Sequence, residues 1–376
     1  MVATSAIAPY AGGGVRVKGM RVVPGVVLGK RRKERTHDAQ APFRTMSLLG
    51  RDLAVDLGAA RTRIYAKGKG IVLDEPSAVL LDGRTGKVIA YGAEAVDDAR
   101  GQTRWPVSGG LPADVELARV LIRHLMRKVH RLRFARPRLV MALPGDSTPI
   151  DRAALHDMAY EAEARNVVLV PHALAAALGA GVAAGEHAGQ MVIDIGRDAT
   201  RVAVVSGDAV VAHGSVPYGG QAMNRAIARL VENEHGLALG ESEAEAAKMR
   251  ASAEREPLDG QVVPVRARDR DTGGEHVVPL PVRRLCEAAA QPVEPIARVA
   301  VETVERCPAE LAADLGERGV VLVGGGALLP GLGRRLREHL RMPVRTADRP
   351  LDSMALGLGR CLDRLGLIGR LRGGRA

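Results

Sequence analysis

The chain has 376 residues, which is long enough for two domains that each bury a core. Its apolar content of 46% suits a globular protein, and no stretch approaches the roughly 20 uncharged apolar residues of a membrane-spanning helix. The net charge of +11 is concentrated in residues 1–45, which carry nine Lys and Arg against two acids and leave +4 for the other 331 residues.

Residues 1–46 are predicted to form a basic leader. They are rich in Gly, Pro and basic residues and have no sustained periodicity, which is typical of a disordered tail. KRRKER at 30–35 would also suit contact with anionic lipid or nucleic acid, and Met46 is an alternative start of the chain. Aromatic residues make up only 2% of the sequence, so it offers no stacking platform and we expect no nucleic-acid partner.

The cysteine content favours a reducing compartment. Cys286, Cys307 and Cys361 are an odd number and lack metal-ligand spacing. We therefore expect structural thiols in a cytoplasmic protein.

From Leu53 onward the pattern alternates between strands and helices. In order, the first half predicts strands at 53–56, 63–67, 71–73, 78–81 and 88–91, a helix at 113–132, a strand at 137–145, a helix that Thr148 or Asp151 caps and that runs to about Arg165, a strand at 167–170 and a helix at 173–184. Glycines in the last helix suggest close packing against a neighbour.

The second half repeats this plan. It predicts strands at 191–194, 201–206 and 210–216, helices at 221–235 and 242–253, a β-rich insert at about 255–285, a helix at 292–305, a strand at 319–323, a Gly-rich turn at 324–326 and a helix to Leu340. An internal repeat of this size indicates an α/β protein with two duplicated halves.

One turn occurs twice. AVDLGAARTRIY (54–65) and VIDIGRDATRVA (192–203) share Asp, aliphatic, Gly, three variable residues, Thr-Arg and an aliphatic residue. An Asp at a strand end projects a carboxylate beyond the sheet, and the Gly lets backbone amides approach a ligand. Such a turn forms an anion site beside a carboxylate that can hold a hydrated cation. Two facing copies, with the Gly-rich turn in VVLVGGGALLPGL (320–332), predict a nucleotide cleft.

The residues of these motifs resemble those of the bacterial actin-like MreB/Mbl family. DLGAARTRIYAKGKGIVLDEPS (56–77) resembles the first phosphate-binding region of that family, and LVGGGALLPGL (322–332) resembles its adenosine-binding turn. The similarity runs from about Arg51 to Leu367. It implies an actin-like (ribonuclease H-like) fold, in which two duplicated domains surround a nucleotide cleft.

The resemblance also implies domain limits. The first domain would span 47–186 and the second 187–345, with the β-rich insert in the second. Residues 346–376 would form a C-terminal helix that returns to the first domain, followed by a basic tail.

Candidate nucleotide ligands follow from the matching positions. They are Asp56, Gly58, Ala59, Ala60, Arg61 and Thr62 in the first turn, Asp194, Gly196, Arg197 and Asp198 in the second, Glu245 and Lys248 at the ribose and adenine, and Gly324, Gly325, Gly326 and Ala327 under the adenosine. The resemblance implies ATP as the nucleotide, with Mg²⁺ held by Asp56 and Asp194 through water. Ser242 and Glu245 also have capping-box spacing, so an ordinary solvated helix start is an alternative for that stretch.

The match fails in the second turn. Arg197 and Asp198 stand where the family has glycines. Arg197 could bind a phosphate or fill the site, whereas Asp198 would repel a phosphate. The first turn differs too, because Ala59 lacks a hydroxyl and Arg61 replaces an Asn.

The catalytic position also departs from the family pattern. Pro171 and His172 stand where the family places the Glu that positions the attacking water, and Gln221 replaces an acid. His172 is a candidate general base, although a capping or surface histidine is the commoner case. We expect a slow ATPase at most.

The resemblance implies a cytoplasmic cytoskeletal protein that binds ATP and forms head-to-tail filaments for cell shape and cell-wall morphogenesis. Its partners would be further copies of itself, with the cell-wall synthesis machinery and the inner membrane surface as additional candidates. The alternative is a degenerate actin-like scaffold with weak or no ATP hydrolysis, which the residues at 171, 172, 197 and 198 favour. A small-molecule kinase or a chaperone ATPase of the same fold is disfavoured, because we find no acid for an acceptor hydroxyl and no length for a peptide-binding domain.

Overall fold

The structure is a computed structural model, and it describes most of the chain after the leader. The described residues are 52–96, 101–130, 136–182, 187–252, 260–291 and 293–372, with side chains to residue 364. The predicted leader at 1–46 and the end of the basic tail lie outside them. No helix among the described residues is long and apolar enough to cross a membrane.

The element order alternates strands and helices along the chain. The strands are β1 (Leu53–Leu57), β2 (Arg61–Ala66), β3 (Gly70–Pro76), β4 (Val79–Asp82), β5 (Val88–Tyr91), β6 (Gly101–Arg104), β7 (Val107–Ser108), β8 (Leu111–Pro112), β9 (Arg138–Leu143), β10 (Asn166–Pro171), β11 (Gln190–Ile195), β12 (Thr200–Ser206), β13 (Ala209–Val216), β14 (Val262–Arg268), β15 (Glu275–Pro281), β16 (Val320–Val323) and β17 (Val344–Thr346). The helices are α1 (Val115–Val129), α2 (Pro149–Glu161), α3 (His172–Gly179), α4 (Gly220–His235), α5 (Glu241–Ser252), α6 (Val282–Ala289), α7 (Val293–Glu305), α8 (Ala309–Arg318), α9 (Leu332–Leu340) and α10 (Ser353–Arg372).

Two five-stranded sheets carry the same topology. The first has the order β3-β2-β1-β9-β10 and the second β13-β12-β11-β16-β17. In each sheet the first three strands in the chain are antiparallel neighbours, and the last two strands then run parallel to the first. The two halves of the chain therefore build the same sheet twice.

Strand pairing repeats the sequence motif residue by residue. Asp56 pairs with Arg63 across β1 and β2, and Asp194 pairs with Arg201 across β11 and β12. In both hairpins the next pair toward the turn joins an aliphatic residue to a threonine, Leu57 to Thr62 and Ile195 to Thr200. The repeat in the sequence is thus one hairpin register used in both sheets.

The alternation of side chains along the central strands divides the core. Leu53 and Val55 face a cluster that includes the buried faces of α1 and α2, whereas Ala54 faces the opposite side of the sheet. In the second sheet Met191 and Ile193 face the helices that follow, and residue 192 faces the opposite way. The side chains on these opposite faces of the two sheets belong to one buried cluster, which also contains residues of α3 and α10. These two helices therefore join the sheets.

Glycines allow α3 and α10 to pack closely. A Cβ on Gly179 would overlap the carbonyl of Ser353, and a Cβ on Gly357 would overlap the carbonyl of Ala175. The close packing that the sequence suggested for the α3 segment is thus observed, with α10 as its partner.

Smaller elements extend from the two sheets. The antiparallel strands β5, β4 and β6 form a three-stranded sheet in the first half. Strands β14 and β15 form a hairpin within the segment predicted to be β-rich. Its buried residues pack with the core of the second sheet.

Several helices differ from the predicted bounds, and three of the differences have a clear local reason. The helix after Thr148 ends at Glu161 because Glu163 has a positive φ of 70°. The next helix ends at Gly179, where Gly181 adopts φ 79°. The last predicted helix begins only at Leu332, because Pro330 and Gly331 (φ 79°) interrupt the segment after the Gly-rich turn.

Candidate functional site

Both copies of the repeated turn close with the same backbone hydrogen bond. Gly58 N donates to the carbonyl of Arg61 at 3.1 Å, and Gly196 N donates to the carbonyl of Ala199 at 3.0 Å. A Cβ on Gly58 would lie 2.6 Å from the Arg61 carbonyl oxygen, so only glycine fits there without a shift. The shape of the turn therefore depends on the glycine that the motif repeats.

The threonine of each motif anchors its turn from inside. Thr62 Oγ1 lies 2.8 Å from Ser77 Oγ, which donates to the Gly58 carbonyl at 2.6 Å. Thr200 Oγ1 donates to the Tyr218 carbonyl at 2.6 Å. Both threonines are fully buried. Thr62, a predicted ligand, thus uses its hydroxyl to fix the turn.

The remaining first-turn candidates surround this anchor. Arg61 Nε donates to Asp74 Oδ1 at 2.6 Å, so its guanidinium is held by β3. Ala59 is buried and Ala60 is exposed. The carbonyl of Ala60 accepts a hydrogen bond from Ser77 N.

The two repeated aspartates have opposite acidities. Burial raises the pKa of Asp56 to about 7, opposed by the charge of Arg63 and reinforced by the charge of Asp194. Burial also acts to raise the pKa of Asp194, but the hydrogen bond and charge of His172, together with Arg201, bring it below its usual value. The site thus holds one firmly ionised carboxylate beside a second that ionises reluctantly, and a cation between them would favour ionisation of both.

His172 is the first residue of α3 and comes from the first half of the chain. Its Nε2 lies 2.7 Å from Asp194 Oδ2 in the second half, and both side chains are mostly buried. The predicted base therefore has this ring nitrogen engaged with the second-turn aspartate. A general-base role for His172 stays a prediction.

Arg197 reaches from the second turn to the first. Its guanidinium carbon lies 4.1 Å from the centre of the Trp105 ring, and Nη1 donates to the Ala59 carbonyl at 3.5 Å. Nη2 donates to Glu241 Oε1 at 3.1 Å, and Nε lies 3.8 Å from Asp198 Oδ1. The residue that most departs from the family pattern thus connects the two turns.

Glu245 and Lys248 form a polar cluster with a residue that the sequence prediction missed. Asn224 Nδ2 and Lys248 Nζ both donate to Glu245 Oε2 at 2.7 Å, and Lys248 Nζ also donates to the Gly220 carbonyl. Asn224 Oδ1 is buried and accepts no hydrogen bond from any described residue. An orphaned buried acceptor is costly, so this atom is suited to a ligand that donates a hydrogen bond. The signal available in the sequence was its place in GQAMNRAI (220–227), the stretch with which α4 begins.

The Gly-rich turn packs against the end of β11. Gly324 has φ 83°, and a Cβ there would overlap Asp194 Oδ1 and lie 2.5 Å from the Ile195 carbonyl oxygen. A Cβ on Gly326 would overlap the Ile195 side chain, whereas one on Gly325 would meet only Leu351 at 3.5 Å. Ala327 is buried. The third predicted turn therefore supports the second one directly.

The predicted groups form one contiguous site. Helix α4 links the polar cluster to the second turn, because Gly220 N donates to the Gly196 carbonyl at 2.9 Å. Arg197 links the second turn to the first, and Gly324 touches Asp194. A cavity of about 430 Å³ lies on the other side of Asp194, where His172, Arg201 and His213 help to line it; the glycines of the three turns and Asn224 do not line it.

The donor set fits a nucleotide with a hydrated cation better than a bare metal ion. Within the described ranges, no three His, Cys, Asp or Glu side chains come close enough together to hold a metal ion. A divalent cation at Asp56 and Asp194 would need water and phosphate oxygens as its other ligands. Near the residues predicted to contact adenosine, Asn224 Oδ1 is a buried acceptor that would suit a ligand donor, and Arg197 connects the two turns.

Comparison with known proteins agrees with this architecture. The family model described as MreB/Mbl protein matches residues 50–369. The cell shape-determining protein MreB of Escherichia coli (strain K12) is 36% identical over 334 residues, which cover 86% of this chain and 96% of that protein.

Solved structures share the fold. The crystal structure of MreB5 of Spiroplasma citri bound to AMPPNP has a TM-score of 0.79 and 25% identity, and the match covers 85% of this chain and 98% of that one. The MamK double helical filament has a TM-score of 0.70 and 20% identity, with coverage of 83% and 99%. The fold is therefore actin-like, and the chain belongs to the MreB/Mbl family.

Proposed function

We propose that this protein is an actin-like cytoskeletal protein that binds ATP with Mg²⁺ and assembles into filaments that determine cell shape. Family membership supports the role in cell shape, since the E. coli relative is named for it. The AMPPNP bound to the related MreB5 structure supports an adenine nucleotide as the ligand.

One observation carries the proposal. Two Asp-Gly turns have the same register and the same closing hydrogen bond, and Arg197 connects them. The second turn also contacts the Gly-rich turn and, through Gly220, the cluster of Asn224, Glu245 and Lys248. A duplicated anion-binding turn has no structural use that a plain hairpin would not serve. Its combination with a polar cluster and a buried orphaned acceptor supports a ligand that carries both phosphates and hydrogen-bond donors.

Each part of the site has a role in binding. Backbone amides of the turns at Gly58 and Gly196 would contact phosphate oxygens, and Asp56 and Asp194 would hold the hydrated Mg²⁺. Asn224 Oδ1 would accept a hydrogen bond from the nucleoside, beside Glu245 and Lys248. The Gly324–Ala327 segment would lie under the adenosine.

Hydrolysis is expected to be slow. Bound ATP with Mg²⁺ supplies a phosphoryl group that water can attack, and the protein must position that water. Pro171 offers no carboxylate, and His172 Nε2 is committed to Asp194. Turnover would then depend on the other ring nitrogen of His172 or on water held by backbone groups.

Assembly would be head to tail between copies of this chain, because a heterologous contact that does not close gives a filament. Bound nucleotide would favour a closed arrangement of two domains, at 47–186 and 187–345. The segment at 346–376 would pack against the first of these domains. The inner membrane surface and the cell-wall synthesis machinery are the further partners that we propose.

Calorimetric titration of Mg-ATP into the full chain tests the proposal, followed by phosphate release and sedimentation on the same sample. We expect micromolar binding, slow release and nucleotide-dependent pelleting. Asn224→Leu should weaken binding, whereas Arg229→Ala on the exposed side of α4 should not. Absence of binding at millimolar Mg-ATP would overturn the proposal, and binding without phosphate release would favour the scaffold alternative.

A further inference from the structure

Arg197 is held by the protein on each side of its guanidinium. One face lies over the Trp105 ring, which packs against a buried cluster of Ala78, Leu80, Ala90 and Ala95. Its Nη atoms donate to Glu241, the first residue of α5, and to the Ala59 carbonyl. Only 17% of the side chain is exposed.

The partner of Arg197 in the first turn is its own counterpart in the repeat. In the motif Asp-aliphatic-Gly-X, position X is Ala59 in the first copy and Arg197 in the second. The first copy has no side chain beyond Cβ at this position, and the second extends a guanidinium to the backbone of the first. The long side chain therefore lies between two turns whose backbone amides would otherwise face a common ligand.

The charge of Arg197 is compensated locally. Glu241 accepts from Nη2 at 3.1 Å, and Asp198 Oδ1 lies 3.8 Å from Nε. A phosphate that approached the guanidinium would also approach these two carboxylates, and like charges repel. The arginine is consequently a poor phosphate ligand in this arrangement, although a guanidinium alone would be a good one.

We propose that Arg197 is an affinity-determining latch, which ties the two turns together and must leave Trp105 and Ala59 before nucleotide phosphates can enter. This inference rests on the proposed nucleotide site and assigns its regulation to one residue. The latch lowers nucleotide affinity because the contacts to indole, carboxylate and carbonyl are lost when the ligand binds.

A second contact between the two halves means that the Arg197 contacts can be removed without unfolding the protein. Arg201, on β12, donates through Nη2 to the Gly109 carbonyl in the β7–β8 turn at 2.6 Å. This bond also joins the two halves of the chain, and it does not involve the second turn itself. Removal of the Arg197 side chain should therefore leave the halves connected.

The chain contains its own reporter, because Trp105 is its only tryptophan. In the absence of added nucleotide, Arg197→Ala should make the indole more accessible to acrylamide, and Arg229→Ala should leave quenching unchanged. Arg229 is a suitable control because it is exposed on α4, and its loss changes the net charge equally. Unchanged quenching in Arg197→Ala would overturn the latch, whatever the nucleotide does.

Titration with Mg-ADP then tests the competition without hydrolysis. Arg197→Ala should bind about tenfold more tightly than the natural sequence, the gain expected from removing one cation–π contact and one or two hydrogen bonds. Glu241→Gln, at a half-exposed helix start where folding is not at risk, should tighten binding by a smaller factor in the same direction. Arg229→Ala should bind like the natural sequence.

The possible outcomes distinguish failure of the latch proposal from failure of the proposed nucleotide site. Nucleotide binding that Arg197→Ala leaves unchanged or weakens would overturn the latch and leave the proposed function standing. Absence of Mg-ADP binding in every variant would overturn the proposed function, and with it the competition. Tighter binding in both Arg197→Ala and Glu241→Gln would support both.

Discussion

At the scale of single residues, Asp56 and Asp194 occupy the same position of one motif, but the pKa of the first is raised and that of the second is lowered. The sequence predicts both carboxylates at strand ends, because the motif repeats them in the same position. The difference in acidity comes from His172, which follows β10 and lies near Asp194 only in the folded chain. No local pattern could predict that contact, since the family resemblance offers an acid rather than a histidine there.

The raised pKa of Asp56 predicts a pH-dependent stability. Its pKa is about 7 in the folded protein and near 4 in an unfolded chain, so the folded state binds more protons between these values. Asp56 therefore makes the protein less stable as pH rises from about 4 to 7. The asparagine in the Asp56→Asn variant does not titrate. The free energy of unfolding of this variant minus that of the natural sequence should therefore increase by about 2–4 kcal/mol between pH 4 and pH 8.

Urea unfolding of both proteins at the two pH values measures this difference. Asp194 has the opposite linkage, since its lowered pKa favours the folded state at higher pH. Because Asp194 is present in both proteins, its own titration contributes to both; its charge also acts on Asp56, and that effect is part of the raised pKa of Asp56. A difference in unfolding free energy that is constant with pH would contradict the assignment to Asp56.

Neighbouring glycines of the third turn make a matched pair for mutation. Gly324→Ala places a side chain against Asp194 and Ile195 at a positive φ, and should cost about 2–4 kcal/mol in the free energy of unfolding. Gly325→Ala meets only ordinary contact with Leu351 and should cost much less. Thermal or urea unfolding of the two variants checks this, and equal losses would show that the turn adapts to a Cβ.

At the scale of elements, existence and type were easier to predict than ends. Strands β1, β11 and β16 were predicted from apolar runs before Gly turns, and α2 from its capping residues. Helix α2 ends early because Arg165 N turns back to the Pro137 carbonyl, a contact across 28 positions that periodicity does not encode. Helices α6 and α8 were not predicted from periodicity, since both are short and follow proline.

The α2 cap can be tested directly. Thr148 Oγ1 accepts from Asp151 N at 3.2 Å, and Asp151 Oδ2 accepts from Thr148 N at 2.8 Å, which together form a capping box. Thr148→Ala should lower the free energy of unfolding by about 1 kcal/mol, because it removes the cap and the box. Thr148→Ser keeps the hydroxyl and should retain most of the stability; an equal loss in urea titrations would indicate a packing role of the methyl group instead.

At the scale of the whole molecule, the duplication could be predicted from sequence but the connection between the halves could not. The repeated Asp-Gly-Thr-Arg pattern indicates equal hairpins, and the family resemblance supplies the fold. The contacts that join the halves link residues far apart in the chain, such as Arg197 and Ala59, which are separated by 138 positions. In the first half, Arg197 and Arg201 contact backbone carbonyls and one indole, which leave no complementary pattern in the sequence.

The glycine contact between α3 and α10 is expected to govern global stability, because these helices contribute to the core shared by both sheets. Gly357→Ala overlaps the Ala175 carbonyl and should cost about 3 kcal/mol or more. Gly316→Ala in exposed α8 meets nothing within 4 Å and should add about 0.5–1 kcal/mol through higher helix propensity. Urea unfolding of both variants measures the contrast, and a similar small effect in both would show that α10 can shift away from α3.

The identical order and register of the two sheets also bear on how such a molecule arose. A single half would present one Asp-Gly turn and an apolar sheet face with nothing to cover it, so it would have needed a second copy of itself as an obligate symmetric dimer. In that ancestor any change in the turn would have appeared on both sides of the ligand at once. In one chain the two turns can differ, and they do: the same position of the motif is Ala59 in the first turn and Arg197 in the second.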